Sequence, residues 1–185
     1  MLTELNTELP EFTQEIGQEG LEMLCEASSL VTISAGRKLM RDGQPVDSLY
    51  LILRGSLSAL AEHSGKSQIV GHIGPGDWIG EVAALSGSMV ASSSVIADTE
   101  VRALRLRTQA FEVLMREATP LSFPLIGYMV NNLAQKLRNS SAALESDVDS
   151  EVIRQREESQ STPVEELGWL GRLLGARRID RKESA

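Results

Sequence analysis

The residues able to do chemistry are few, and they cluster. The run GPGDWIGEVAALSG, residues 74–87, sets a carboxylate, Glu81, directly after Gly80 at the expected start of a short helix. A carboxylate in a first helical turn complements the helix dipole or accepts hydrogen bonds from loop amides. Hydroxyls follow at Ser86, Ser88, Ser92 and Ser93. The two histidines, His63 and His72, lack the cysteine and histidine companions of a metal or haem centre, so no metal site is expected. No Ser-His-Asp or Cys-His set with supporting context appears, and no phosphate-binding P-loop. The chain therefore reads as non-enzymatic, with no catalytic residue to assign. Cys25 falls within an apolar helical stripe and reads as a core residue. Far along the chain, Leu167, Trp169, Leu170, Leu173 and Leu174 form an apolar cluster ahead of Arg177, Arg178, Arg181 and Lys182. An amphipathic basic segment of this kind packs back on its domain, docks in a partner's groove or touches a membrane surface. Trp169, Leu170, Leu173, Leu174, Arg177 and Arg178 are its candidate partner-binding residues.

Composition narrows the classes. The chain has 185 residues, 42% hydrophobic and 24% charged, which suits one domain with extensions. Its formal charge of −8 argues against non-specific attachment to nucleic acid or anionic membrane. One cysteine rules out an intrachain disulfide. No run has the length of a membrane span, and the opening MLTELNTELPEF lacks the basic head and apolar stretch of a signal peptide. A reduced, cytoplasmic setting is expected.

The elements that must position Glu81 follow from periodicity. Residues 1–27 form an N-terminal helical segment. Within it, 11–27 are one or two short helices with Phe12, Ile16, Leu21, Leu24 and Cys25 inward, interrupted near Gly17 and Gly20. The glutamates from Glu4 to Glu26 form a solvated face or an acidic docking surface. Residues 28–118 read as short β runs separated by glycine turns, at 30–34, 38–40, 48–55, 56–62, 67–74, 92–97 and 101–106. That pattern indicates an antiparallel barrel or jelly roll, with Trp78 expected to cover one end. A helix at 108–118 follows, with Thr108 as N-cap and Phe111, Leu114 and Met115 inward.

Pro120 and Pro124 then bracket a break. Within 119–153 a long helix is expected over 125–153, with a seam of Ile126, Val130, Leu133, Leu137, Ser140, Leu144 and Val148. Such a stripe packs on its own domain or on a second copy, and a homodimer through it is expected. Residues 154–163 read as a polar linker and 164–185 as the amphipathic basic tail. The fold class is α+β: an antiparallel β jelly-roll barrel with N-terminal helices and a long C-terminal helix.

Residues 34–60 and 74–101 together resemble the cyclic nucleotide-binding domain family, which includes the sensor half of the bacterial catabolite activator. The shared features come in order. Gly36 and Gly43 share the turn spacing, an apolar strand ends in Gly55, Gly-Asp precedes an aromatic, Gly80-Glu81 opens a short helix, and Ser94-Val95-Ile96-Ala97 forms a final strand. The resemblance runs over about residues 10–145. It implies that Gly80, Glu81, Val82 and Ala83 form the start of the ligand-binding helix. Glu81 would accept from a ribose 2′-hydroxyl. An arginine that pairs with the cyclic phosphate would fall on Ala91, aligned back from the strand, or on Val90, counted forward from Gly80. Neither is basic, and no Lys or Arg occurs between Lys66 and Arg102. Ser92 falls where relatives carry a small hydroxyl residue, and Ser140 and Ser141 fall where they reach the purine.

A phosphate buried without its cation loses about 3–5 kcal/mol, or two to three or more powers of ten in affinity. A cyclic nucleotide is thus a possible but disfavoured ligand, and no resident cofactor is expected. Relatives among the activators add a winged helix after the dimer helix. Residues 154–185 are too few for one, so direct DNA binding is not expected. The function implied is a regulatory module whose divergent pocket or partner positions the C-terminal helix and tail. The alternatives are a dimeric protein-interaction adaptor with an empty pocket, or a true cyclic AMP or cyclic GMP receptor using an arginine from elsewhere.

Overall fold

The computed structural model describes residues 1–63, 66–117 and 120–138. All of them lie in one compact unit, Met1–Ser141. Two helices open the chain, α1 (Leu2–Glu8) and α2 (Pro10–Ala27). Pro10 is well placed at the first helical position, where its missing N–H would have had no partner. α2 buries Phe12, Ile16, Leu21 and Leu24, as the periodicity predicts. Gly17 breaks the helical path with φ 75° and ψ 163°, so α2 is kinked there. Gly20 does not interrupt it; a Cβ there would lie 3.5 Å from Leu121, so its smallness serves close packing. Cys25 is half-buried rather than deep in the core, and burial pushes its thiol pKa up.

Eight strands follow: β1 (Ser28–Ile33), β2 (Lys38–Met40), β3 (Ser48–Arg54), β4 (Leu57–His63), β5 (Lys66–Ile73), β6 (Trp78–Ile79), β7 (Ser94–Ala97) and β8 (Val101–Arg107). The short helix α3 (Glu81–Ser86) sits between β6 and β7, and α4 (Thr108–Glu117) follows β8. The strands form two antiparallel four-stranded sheets, ordered β1-β8-β3-β6 and β2-β7-β4-β5. The expected α+β class with antiparallel sheets and flanking helices is what the chain adopts.

One core lies between the sheets and another between the first sheet and the helices. Ile33, Ile52, Leu57, Ile79, Val95, Val101 and Ala103 belong to the former. Leu49, Leu51, Leu53, Leu104 and Leu106 point the other way, against Leu5, Phe12, Leu21, Leu24 and Leu125. Strand residues alternate between faces, so β3 is apolar almost throughout because both its faces are covered. Trp78 belongs to the helix-side core. It is fully buried and lies 6.5 Å from the Phe12 ring, so it joins α2 to the sheet rather than closing a barrel end.

Arginines of this sheet tie down the acidic N-terminus. Arg102 donates to Glu4 at 3.0 Å, and Arg54 pairs with Glu8. Two of the opening glutamates are thus fasteners rather than free surface charge. Gly55, just after β3, is required sterically: a Cβ there would sit 2.4 Å from the Glu100 carbonyl oxygen.

The last described helix, α5, covers 120–138. Residues 120–124, ahead of the expected start at 125, are already helical. Pro120 is its first described residue, and Pro124 is accommodated within the helix, whose path continues to 138. Leu121, Leu125 and Met129 are fully buried against the domain. Phe123, Ile126, Val130 and Leu137 are exposed, at 76%, 37%, 49% and 62%. Of the expected seam, Ile126, Val130 and Leu137 face away from the chain's own core, while Leu133 is half-buried. Ser140, Ser141 and everything after them lie outside the described residues, as do the linker and the tail.

Candidate functional site

The site is built on the turn that precedes α3. Asp77 anchors this turn: its Oδ2 accepts from the Gly74 amide at 2.8 Å, and its own amide donates to Gly74 O at 3.1 Å. Backbone bonds between Ile52 and residues 76–77 fasten the turn to β3. β6 then leads into Gly80, which has φ 89° and acts as the N-cap of α3. A Cβ at Gly80 would meet Met40 Cε at 3.0 Å and Val46 Cγ1 and Ser48 O at 3.2 Å. Both the left-handed backbone and the tight surroundings favour glycine there.

Glu81, the first residue of α3, is buried at 5% exposure. A carboxylate so placed requires a partner, and the structure supplies one from far along the chain. Lys136 Nζ on α5 donates to Glu81 Oε1 at 2.9 Å and to Trp78 O at 2.7 Å. The same ammonium lies 3.9 Å from Asp77 Oδ1, which also accepts from Asn132 Nδ2 at 2.9 Å. One turn nearer the start of α5, Tyr128 Oη donates to Gly76 O at 3.1 Å. Burial first, then the nearby Asp77, Glu15 and Glu11 carboxylates, raises the Tyr128 pKa, so the phenol stays a donor.

The far end of the segment is different in character. After α3, the loop is stitched to the 41–46 turn. Ala91 N donates to Gln44 O and Gly43 N to Ala91 O, both at 2.9 Å, and Val46 N donates to Met89 O at 2.8 Å. Ala91 is buried and packs with Val46, Ala83 and Met40. Val90 is exposed at 42% and Val82 at 39%. Ser92 is exposed. Ser94 is the buried hydroxyl, and its Oγ accepts from the Asp42 amide at 3.2 Å. So Gly80, Glu81 and Ala83 converge at one place, with Ala91 beside Ala83, while Val82 and Ser92 face outward.

Residues 30–118 match the family model of the cyclic nucleotide-binding domain. A solved cyclic nucleotide-binding domain from Methylobacillus flagellatus KT superposes with a TM-score of 0.67, over 77% of this chain and 85% of that one, at 21% identity. Residues 30–118 are a cyclic nucleotide-binding domain. Curated relatives of this domain include the mouse patatin-like phospholipase domain-containing protein 6, 40% identical over 74 residues, which are 39% of this chain and 6% of that protein. A cyclic nucleotide-gated potassium channel of Mesorhizobium japonicum is 29% identical over 130 residues, 70% of this chain and 33% of the channel. The chain thus spans a third or less of the length of these two relatives.

Reading the sequence missed the residues that surround Glu81 and the turn before it: Asp77, Tyr128, Asn132 and Lys136. A signal for three of them exists. Tyr128, Asn132 and Lys136 are spaced four apart, a polar row beside the apolar seam. Among the described residues, no cluster of His, Cys, Asp and Glu could hold a metal ion. No described helix is long and apolar enough to cross a membrane.

Proposed function

We propose that the chain is a non-enzymatic regulatory module whose nucleotide-type pocket has diverged away from tight binding of a cyclic phosphate. It acts by ligand- or partner-controlled placement of its C-terminal helix and tail. One observation carries this reading. The position where family resemblance expects the phosphate-pairing arginine, Ala91, packs in a small apolar cluster with Val46, Ala83 and Met40, while Lys136, which reaches the start of α3, is bonded to Glu81. Val46, Ala83 and Met40 offer a buried phosphate at that end no counter-charge. The single cysteine suits the reduced cytoplasmic setting this role implies.

Calorimetry with cyclic AMP, cyclic GMP and cyclic dinucleotides tests the reading. Binding no tighter than roughly millimolar, weakened further in Glu81→Ala, is the expected result. Submicromolar binding of a cyclic nucleotide would overturn it. A second reading, a true cyclic-nucleotide receptor with its cation from elsewhere, draws support from Lys136, which brings an ammonium to the start of α3. Under that reading, Lys136→Met abolishes submicromolar binding.

The exposed stripe Phe123, Ile126, Val130 and Leu137 supports homodimerisation through α5. Sedimentation of the full chain should give a dimer, and Val130→Glu should give a monomer. A wild-type monomer at high concentration removes this part of the proposal. For the tail, a chain ending at Pro163 should stay folded and lose its protein partner. Continued capture of the same partner would eliminate the docking-peptide role of Trp169, Leu170, Leu173, Leu174, Arg177 and Arg178.

A further inference from the structure

α5 is held to the domain in two chemically distinct ways. Its first half is anchored by apolar packing, through Leu121, Leu125 and Met129. Among the described residues of α5, full burial of apolar side chains stops at Met129. From Tyr128, which also packs edge-on against the Phe12 ring, a row of polar bonds takes over. Tyr128, Asn132 and Lys136 lie four residues apart, so they share one face, each about 6 Å further along the axis than the last. They bond in order to Gly76 O, Asp77 Oδ1, and Trp78 O with Glu81 Oε1. The row on the helix thus runs in register with the segment that ends in the candidate ligand-binding carboxylate.

We infer that Lys136 is a positioning residue, the last tooth of a polar zipper through which the segment carrying Glu81 sets the pose of α5. Apolar packing in the first half gives the helix a fixed base. Charge-assisted bonds in the second half give it a part that can be released, because an ammonium leaving Glu81 finds water as an alternative partner. Lys136 is about a quarter exposed, so that water is near. Any donor that engages the Glu81 carboxylate competes with Lys136 for it. Val130 and Leu137 sit outward on the releasable half, so their placement follows the zipper. This regulatory role rests on the reading of Glu81 as the ligand-facing carboxylate. The zipper itself does not depend on that reading.

Hydrogen exchange on the full chain, without any ligand, tests it. In Lys136→Met the amides of 132–138 should exchange about tenfold faster, as the loss of one charge-assisted bond predicts. Over labelling times too short for global unfolding, amides of β3 and β8 should stay protected in both proteins. Glu81→Gln should speed the same helix amides, and the double variant should exchange no faster than Lys136→Met alone, because both changes remove one interaction. Lys136→Arg should restore slow exchange. Should Glu81→Gln fail to fold, Asn132→Ala removes the neighbouring tooth and should speed the same amides. Unchanged rates over 132–138 in Lys136→Met would overturn the inference. So would loss of protection in β3 and β8 over the same short labelling times, or effects that multiply in the double variant. These arms contain no nucleotide, so they succeed or fail independently of whether the pocket binds one.

Discussion

The segment from Gly80 to Ala91 has two unlike ends. At its start, a buried carboxylate is paired with an ammonium delivered from α5, and Asp77 and Asn132 extend the polar contact. At its end, Ala91 sits among Val46, Ala83 and Met40, with no charge in that group. The segment is framed equally firmly at both ends, by β3 on one side and by the 41–46 turn on the other. The difference is therefore one of chemistry and not of order. Hydroxyl recognition needs only the first end, whereas an anion needs a cation at the second. Under the proposed function, one half of a nucleotide-type site persists while the other is given over to packing.

Placing the missing guanidinium would erase the contrast and should have the largest effect. Ala91→Arg is expected to raise cyclic AMP affinity by about a hundredfold or more in calorimetry. It should also lower stability without ligand, since a charge enters an apolar cluster. No gain in affinity would mean that the phosphate position lies elsewhere. Next, Lys136→Met leaves Glu81 buried and unpaired, and should cost about 2 kcal/mol in urea unfolding, less than a fully buried pair because Lys136 reaches solvent. Glu81→Gln keeps the shape and removes the charge, and should cost about 1 kcal/mol. If Lys136→Met proves as mild as Glu81→Gln, the polar end is less dependent on its cation than the geometry says.

The smallest effect separates this buried pair from the surface pair Arg54–Glu8. The Arg54 hydrogen bond holds the Glu8 carboxyl below its ordinary pKa. A lowered folded-state pKa contributes stability above the unfolded value and loses it as pH falls through the folded one. Acid titration of Glu8→Gln should therefore show a slightly shallower loss of stability than wild type in the carboxylate range, with no difference left at the acid end. An equal slope in both proteins would show that this surface pair contributes nothing measurable.

The two faces of α5 show how far the sequence could be read. Spacing alone marked Ile126, Val130, Leu133 and Leu137 as one stripe; Ile126, Val130 and Leu137 are exposed and Leu133 is half-buried. Periodicity is a local property, so it identified the face and left open whether the domain or a second copy would cover it. Leu121, Leu125 and Met129 form another apolar row, and only the packed structure assigns the inward side to them. The strands were legible for the same local reason: short apolar runs between glycines give β3, β4, β5 and β8 within a few residues. α1 was read as part of a helical segment over 1–27 but not as a separate helix, because seven residues carry little pattern; buried Leu5 and the pairs to Arg54 and Arg102 on distant strands place it.

What the order of residues determined by itself was the antiparallel sheet pattern, the Gly80-Glu81 helix start and the lack of basic residues from 67 to 101. Each is set by neighbours within a few positions. The partner of Glu81 was a tertiary decision. Lys136 stands 55 positions away, and no local rule selects it among the other cations. Only the folded chain, by laying α5 across the turn at Asp77, brings the ammonium within bonding distance of a carboxylate that could not otherwise remain buried and charged.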